Sequence, residues 1–110
     1  MDARWIAVGA IEPRFFAALL RVAGVDEPAT GQFDKAGWPA LAEKLTAAFR
    51  LQPRDHWTTH PQAAAACIAP VLSMAEAPHH PHNAARGTFA VRDGVMQPMP
   101  APRFSATPAA

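Results

Sequence analysis

Residues 4–24 read RWIAVGAIEPRFFAALLRVAG. Arg4 to Ala10 is a short apolar run carrying Trp5, Ile6 and Val8, which predicts a short buried strand ended by Gly9. Glu12-Pro13 then predicts a helix start. Proline at the first helical position forfeits no hydrogen bond, and a carboxylate beside it complements the helix dipole. From Pro13 to Ala23 the apolar residues Phe15, Phe16, Leu19, Leu20, Val22 and Ala23 recur at helical spacing, and Gly24 supplies the stop. A strand, a turn and a helix are therefore expected in immediate succession.

Working outward, Val25 to Ala36 holds Asp, Pro, Gly and Gln and predicts a loop, anchored to the core by Phe33. Trp38-Pro39 opens a second helix to about Arg50, with Leu41, Leu45, Ala48 and Phe49 inward and Glu43, Lys44 and Arg50 in water. Pro53 starts a short third helix that ends near His60 and is anchored by Trp57. Cys67 to Leu72 is apolar but contains Pro70, so it predicts an edge strand or extended segment at most. Ser73-x-x-Glu76 has capping-box spacing. A helical turn is expected to close at Gly87. Thr88–Val91 and Val95–Met99 flank Arg92-Asp93-Gly94, which is a hairpin signal. There is no internal repeat. The fold class is α+β, short helices packed with a few short strands, with one domain over residues 1–100 and a Pro/Ala-rich tail over 101–110.

Composition narrows the function. At 110 residues the chain suffices for one small domain. A net charge of +1 with 17% charged residues leaves no electrostatic footprint for nucleic acid or an anionic membrane. Twelve prolines dictate short elements and long connections. The single cysteine excludes a disulfide framework and a four-cysteine zinc site. No secretory signal and no apolar run of transmembrane length is visible, so a cytoplasmic protein is expected. The chain opens almost at once into a strand and ends in a loop-like tail, as a piece of something larger would.

Several residues invite chemistry. Glu12 sits where backbone geometry can aim a carboxylate out of the element ends; taken alone, a helix-start acid is the simpler reading. His79, His80 and His82 cluster, but adjacent histidines point apart and Pro78 and Pro81 restrict the backbone between them, so a polar loop is expected rather than a metal site. His56 and His60 lack the glutamate of a metalloprotease pattern and read as surface histidines. Cys67, in an apolar run, reads as an inert buried thiol. Trp5, Trp38, Trp57 and the phenylalanines read mostly as packing rather than as a stacking platform. Arg86 suits either a carboxylate or phosphate ligand or an ion pair within the domain.

The motifs reach further than composition. Gly9-Ala10-Ile11-Glu12-Pro13 followed by Phe15 resembles the GAIEPxF motif of the α-methylacyl-CoA racemases, in the family III CoA-transferase (CaiB/BaiF) superfamily. Ala36-Gly37-Trp38-Pro39, Arg54-Asp55-His56-Trp57, Cys67-Ile68-Ala69-Pro70-Val71-Leu72 and the box from His80 to Phe89 (HPHNAARGTF) resemble its later segments in order and spacing, as does the Pro-rich run from Gln97 to Phe104. The chain departs from the family at Ala63-Ala64-Ala65, where Gly-Thr-Asp is usual, at Arg14 in place of Gln, and at Phe16 in place of Tyr.

The resemblance implies the small domain of a family III CoA-transferase-like fold, without the large domain that holds a catalytic His and Asp. It implies a parent activity of 1,1-proton transfer at the α-carbon of 2-methylacyl-CoA thioesters. No metal or separate cofactor is needed, because CoA is part of the substrate. It implies an acyl-CoA substrate, a partner large domain and an intertwined homodimer, in which Glu12 reaches the catalytic site in trans as a supporting carboxylate and Ile11 lines the acyl pocket. The chain alone is expected to be inactive. Two other assignments stand beside this one: CoA transfer between acids through a carboxylate nucleophile in the large domain, and a non-catalytic domain that docks on a separate large domain.

Overall fold

A computed structural model describes residues 2–107. Met1 and the last three positions of the Pro/Ala-rich tail lie outside the described residues. The chain divides into two compact units, one running to Val71 and the other starting at Leu72.

The first unit contains β1 (Ile6–Val8), α1 (Pro13–Ala23), α2 (Trp38–Phe49), α3 (Arg54–Thr58) and β2 (Ile68–Pro70). β1 and β2 pair antiparallel, with Ile6 opposite Pro70, Ala7 opposite Ala69 and Val8 opposite Ile68. Main-chain bonds continue the ladder at both ends, from Gly9 N to the Cys67 carbonyl and from Val71 N to the Trp5 carbonyl, each 3.0 Å. Two strands have only one face to set against a core, so β1 is half-covered rather than buried: Ile6 is partly buried while Ala7 and Val8 are exposed.

α1 forms over the span the periodicity predicts. Glu12 precedes it with φ −76° and ψ 145°, the extended conformation imposed on a residue before proline. Gly24 ends it at φ 64°, where its N–H reaches back to the Arg21 and Leu20 carbonyls. The buried face of α1 is Phe16, Ala18, Leu19, Leu20 and Ala23. Phe16, Ala18, Leu19 and Leu20 join Trp57, Ala63, Ala66 and Ile68 in one core, with Leu41, Leu45 and Phe49 of α2 packed against it. Trp57 fills its anchor role. Its ring meets Phe49 edge-on at 5.2 Å, and its indole N–H is shared between the Phe49 carbonyl at the end of α2 and the Gln52 carbonyl just beyond it, each 3.2 Å.

Phe33 does not anchor the loop; it is 70% exposed. The segment Ala29–Phe33 coils into a 3₁₀ turn. Three residues per turn set Ala29 and Gln32 on one side and rotate Phe33 away from it. Ala29 accordingly packs on the core. Of the tryptophans only Trp57 is core, because Trp5 precedes β1 at 76% exposure and Trp38 opens α2 half in solvent. Cys67 is partly buried, not sealed. Ala66 and Ile68 take the inward positions, and Cys67 turns between them at φ 51°.

The second unit holds a 3₁₀ turn at Ala77–His79, α4 (Pro81–Ala85), β3 (Phe89–Arg92) and β4 (Val95–Pro98). The capping box forms reciprocally: Ser73 N donates to the Glu76 carboxylate at 2.9 Å, and Glu76 N to Ser73 Oγ at 3.2 Å. β3 and β4 pair antiparallel from Phe89 opposite Pro98 to Arg92 opposite Val95. Asp93 and Gly94 both have positive φ, 52° and 77°, the two-residue hairpin turn that the Asp-Gly pair predicts. Met99 N adds a bond to the Thr88 carbonyl at 2.8 Å. Together the two units give a small mixed α+β chain.

Candidate functional site

The junction between β1 and α1 is where the backbone is held and a charged side chain is left unused by the fold. Ile11 N donates to the Gly9 carbonyl at 2.8 Å, closing a three-residue turn. The Ile11 carbonyl accepts from Gln32 Nε2. The Glu12 carbonyl accepts from both Phe15 N and Phe16 N at 2.9 Å. The main chain of these two residues is therefore engaged repeatedly, while the Glu12 side chain makes no capping hydrogen bond to the helix it precedes. Glu12 and Ile11 both face solvent, Ile11 at 75%. An exposed carboxylate beside an exposed aliphatic side chain, on a backbone with little freedom, can meet a group brought to it without first being released from a contact.

The other candidates stand apart from this junction. His56 is exposed, its ring edge-on to Trp57 at 5.1 Å, and the Nδ1 of His60 accepts from Gln62 N at 3.1 Å. His79 ends the Ala77–His79 turn, His80 precedes α4 and His82 lies within it. Among the described residues no three His, Cys, Asp or Glu side chains gather as metal ligands would. The Arg86 side chain is exposed and forms no ion pair among the described residues. Its main-chain carbonyl and that of Gly87 are held by the Arg103 guanidinium.

The Arg-Asp-x-Trp segment carries a residue that reading for apolar anchors passes over. Arg54 is 7% exposed, the one buried charged side chain among the described residues. It donates through Nη1 to the Val71 carbonyl at 3.0 Å and through Nε to Asp55 at 3.2 Å. Its backbone N–H is taken by Asp2 at 3.1 Å. Some loss of hydration beside its neighbours raises the Asp2 carboxyl pKa, but bonds from the Arg54 and Arg4 backbone N–H groups outweigh it and hold the group below its ordinary value. A cleft of about 440 Å³ lies on this side, lined by Arg4, Trp5, Phe49, Arg50 and Trp57 among others; neither Ile11 nor Glu12 borders it. No helix among the described residues is long and apolar enough to cross a membrane.

The family model of CoA-transferase family III matches residues 1–110, and the chain belongs to that family. It is 40% identical to the α-methylacyl-CoA racemase of Mus musculus and 34% identical to that of Homo sapiens, in both cases over 98% of this chain. A CaiB/baiF CoA-transferase family protein of Caenorhabditis elegans is 28% identical over 93% of the chain. The chain spans 29% of the length of each of these relatives.

Proposed function

We propose that this chain supplies the small-domain part of an α-methylacyl-CoA racemase-type enzyme, whose reaction is 1,1-proton transfer at the α-carbon of a 2-methylacyl-CoA thioester. The thioester carbonyl acidifies the α C–H bond and takes up the electron pair as an enolate. One group removes the proton and a second returns a proton to the opposite face. The thioester is the electron sink, so the scheme calls for no metal or separate cofactor. In this reading the proton-transfer pair belongs to a large domain. Glu12 reaches that domain's catalytic site across an intertwined dimer and holds its histidine in orientation, while Ile11 lines the acyl pocket.

The observation that carries the reading is the Glu12 carboxylate: exposed, not spent on capping α1, and set on a backbone with both flanking carbonyls engaged. The racemase names of the mouse and human relatives support the choice of reaction. The nematode relative's name favours CoA transfer as the second reading, in which a carboxylate of the large domain would attack the thioester.

Exchange of the α-proton of 2-methylacyl-CoA for deuterium in heavy water tests the proposal. The chain alone is expected to catalyse none. Joined to the remaining part of the mouse relative it is expected to restore exchange, and Glu12→Gln in that assembly to lower the rate about 10- to 100-fold, as loss of a residue that orients a catalytic group does. Exchange at an enzyme-like rate by the chain alone, no exchange by the assembly, or an unchanged rate with Glu12→Gln each overturns it. Transfer of CoA from the thioester to a free acid, without α-deuteration, selects the second reading.

A further inference from the structure

Gln32 lies far from Glu12 in sequence, in the 3₁₀ turn Ala29–Phe33, yet it is tied to the β1–α1 junction. Its Nε2 donates to the Ile11 carbonyl, across 21 positions of chain. Its own main-chain carbonyl accepts the Trp38 indole N–H at 3.0 Å, so the residue that grips Ile11 is itself gripped at the start of α2. The other end of the same carboxamide, Oε1, is buried with no hydrogen-bond partner, alone in this among the described side chains.

That orphaned oxygen is the informative detail. A buried acceptor left unpaired is destabilising, because no bond repays the hydration it gave up. Turning the amide over would bring Oε1 against the Ile11 carbonyl oxygen, two acceptors facing each other, so the orientation is fixed by the need to donate there. A fold that only had to fill this position would do so more favourably with an apolar side chain, since the neighbouring Ala29 packs on the core. Its place on the 3₁₀ turn explains why Gln32 is there: it shares the inward side with Ala29, while Phe33 is turned out.

We propose that Gln32 is a positioning residue: its carboxamide clamps the Ile11 carbonyl and thereby holds the extended backbone that aims the Glu12 carboxylate. This rests on the role proposed above for Glu12. The clamp acts on the residue before Glu12 and never touches the substrate. It therefore sets the direction of the carboxylate without entering the chemistry. Trp38 braces the clamp through the Gln32 carbonyl.

Two variants and two readouts test it. Gln32→Glu keeps the shape but removes the NH₂ donor at neutral pH; Gln32→Ala removes the whole group. In the 110-residue chain, backbone ¹⁵N relaxation should show Ile11 and Glu12 loosened in both variants, while Phe89–Pro98 keeps its order. Acidification of Gln32→Glu toward its carboxyl pKa, about 4.3 unperturbed, should restore order at Ile11, because the protonated acid again donates. In the assembly with the remaining part of the mouse relative, Gln32→Glu should lower deuterium exchange about tenfold, and less than twofold when Glu12 is already Ala, because a group acting through Glu12 has nothing left to position. Unchanged order at Ile11 and Glu12 in both variants overturns the clamp, as does an equal loss of exchange with and without Glu12. Loosening at Ile11 together with full exchange in Glu12→Gln supports the clamp and overturns the role given to Glu12.

Discussion

The unit running to Val71 and the unit from Leu72 onward are built on different principles. Every buried residue among those described, from Phe16 to Ile68, lies in the first. The second has none, and its large apolar side chains Met74, Val91, Val95 and Met96 are exposed. What orders it is local and polar: the Ser73–Glu76 box, the Asn83 amide on the Ala77 carbonyl at 2.8 Å, the Arg103 guanidinium on two consecutive carbonyls, and a hairpin closed by Asp93-Gly94. One unit is held by exclusion of water from side chains, the other by satisfaction of its backbone. The first kind of order tolerates surface change and fails when a core group is removed. The second has no single group whose loss removes much apolar burial, but it depends on each turn residue.

The largest expected effect lies in the first unit. Trp57→Ala removes a buried ring and frees the Phe49 and Gln52 carbonyls, and should destabilise by about 3–5 kcal/mol in urea unfolding followed by far-ultraviolet circular dichroism. A change below about 1 kcal/mol would erase the contrast drawn between the units. Next comes Arg54→Ala, which strips the Val71 carbonyl of its donor and should lower stability by about 1–3 kcal/mol. In the second unit Gly94→Ala forces a side chain into positive φ and should cost about 1 kcal/mol, read as faster amide exchange confined to Phe89–Pro98. The smallest effect is at Asp2. Its folded pKa is depressed, so its contribution is present above the unfolded value, about 3.9, and fades as pH falls through the lower folded one. Asp2→Asn should remove that acid dependence and leave the unfolding midpoint at pH 7 only slightly lower.

The elements legible in the sequence are those whose cause is local. α1 lies between Pro13 and Gly24 because proline and glycine restrict their own dihedral angles, and the Asp93-Gly94 turn declares itself for the same reason. Illegible were the matters settled across distance: which strand Ile68–Pro70 pairs with, that Arg54 is buried, and that Gln32 reaches Ile11. No periodicity encodes a hydrogen bond between residues 21 positions apart. For Arg54 a signal did exist, an arginine three residues before the anchoring Trp57 on the same helical face, but a charged residue is ordinarily expected in water. At the β1–α1 junction the position of Glu12 could be read from the chain. The grip that steadies it could not.

The pairing of β1 with β2 also imposes an order of events. Val8 is made well before its partner Ile68, so as the chain emerges the first strand lacks that partner until nearly the whole first unit has followed it. α1 and α2 can coil on their own in the meantime, being local, whereas the ladder must first close a long loop against chain entropy. The junction that carries Glu12 is attached to the waiting strand. Its strand end is tied down when the Cys67 carbonyl accepts from Gly9 N, so the β1 side of the proposed working part is among the later pieces to set.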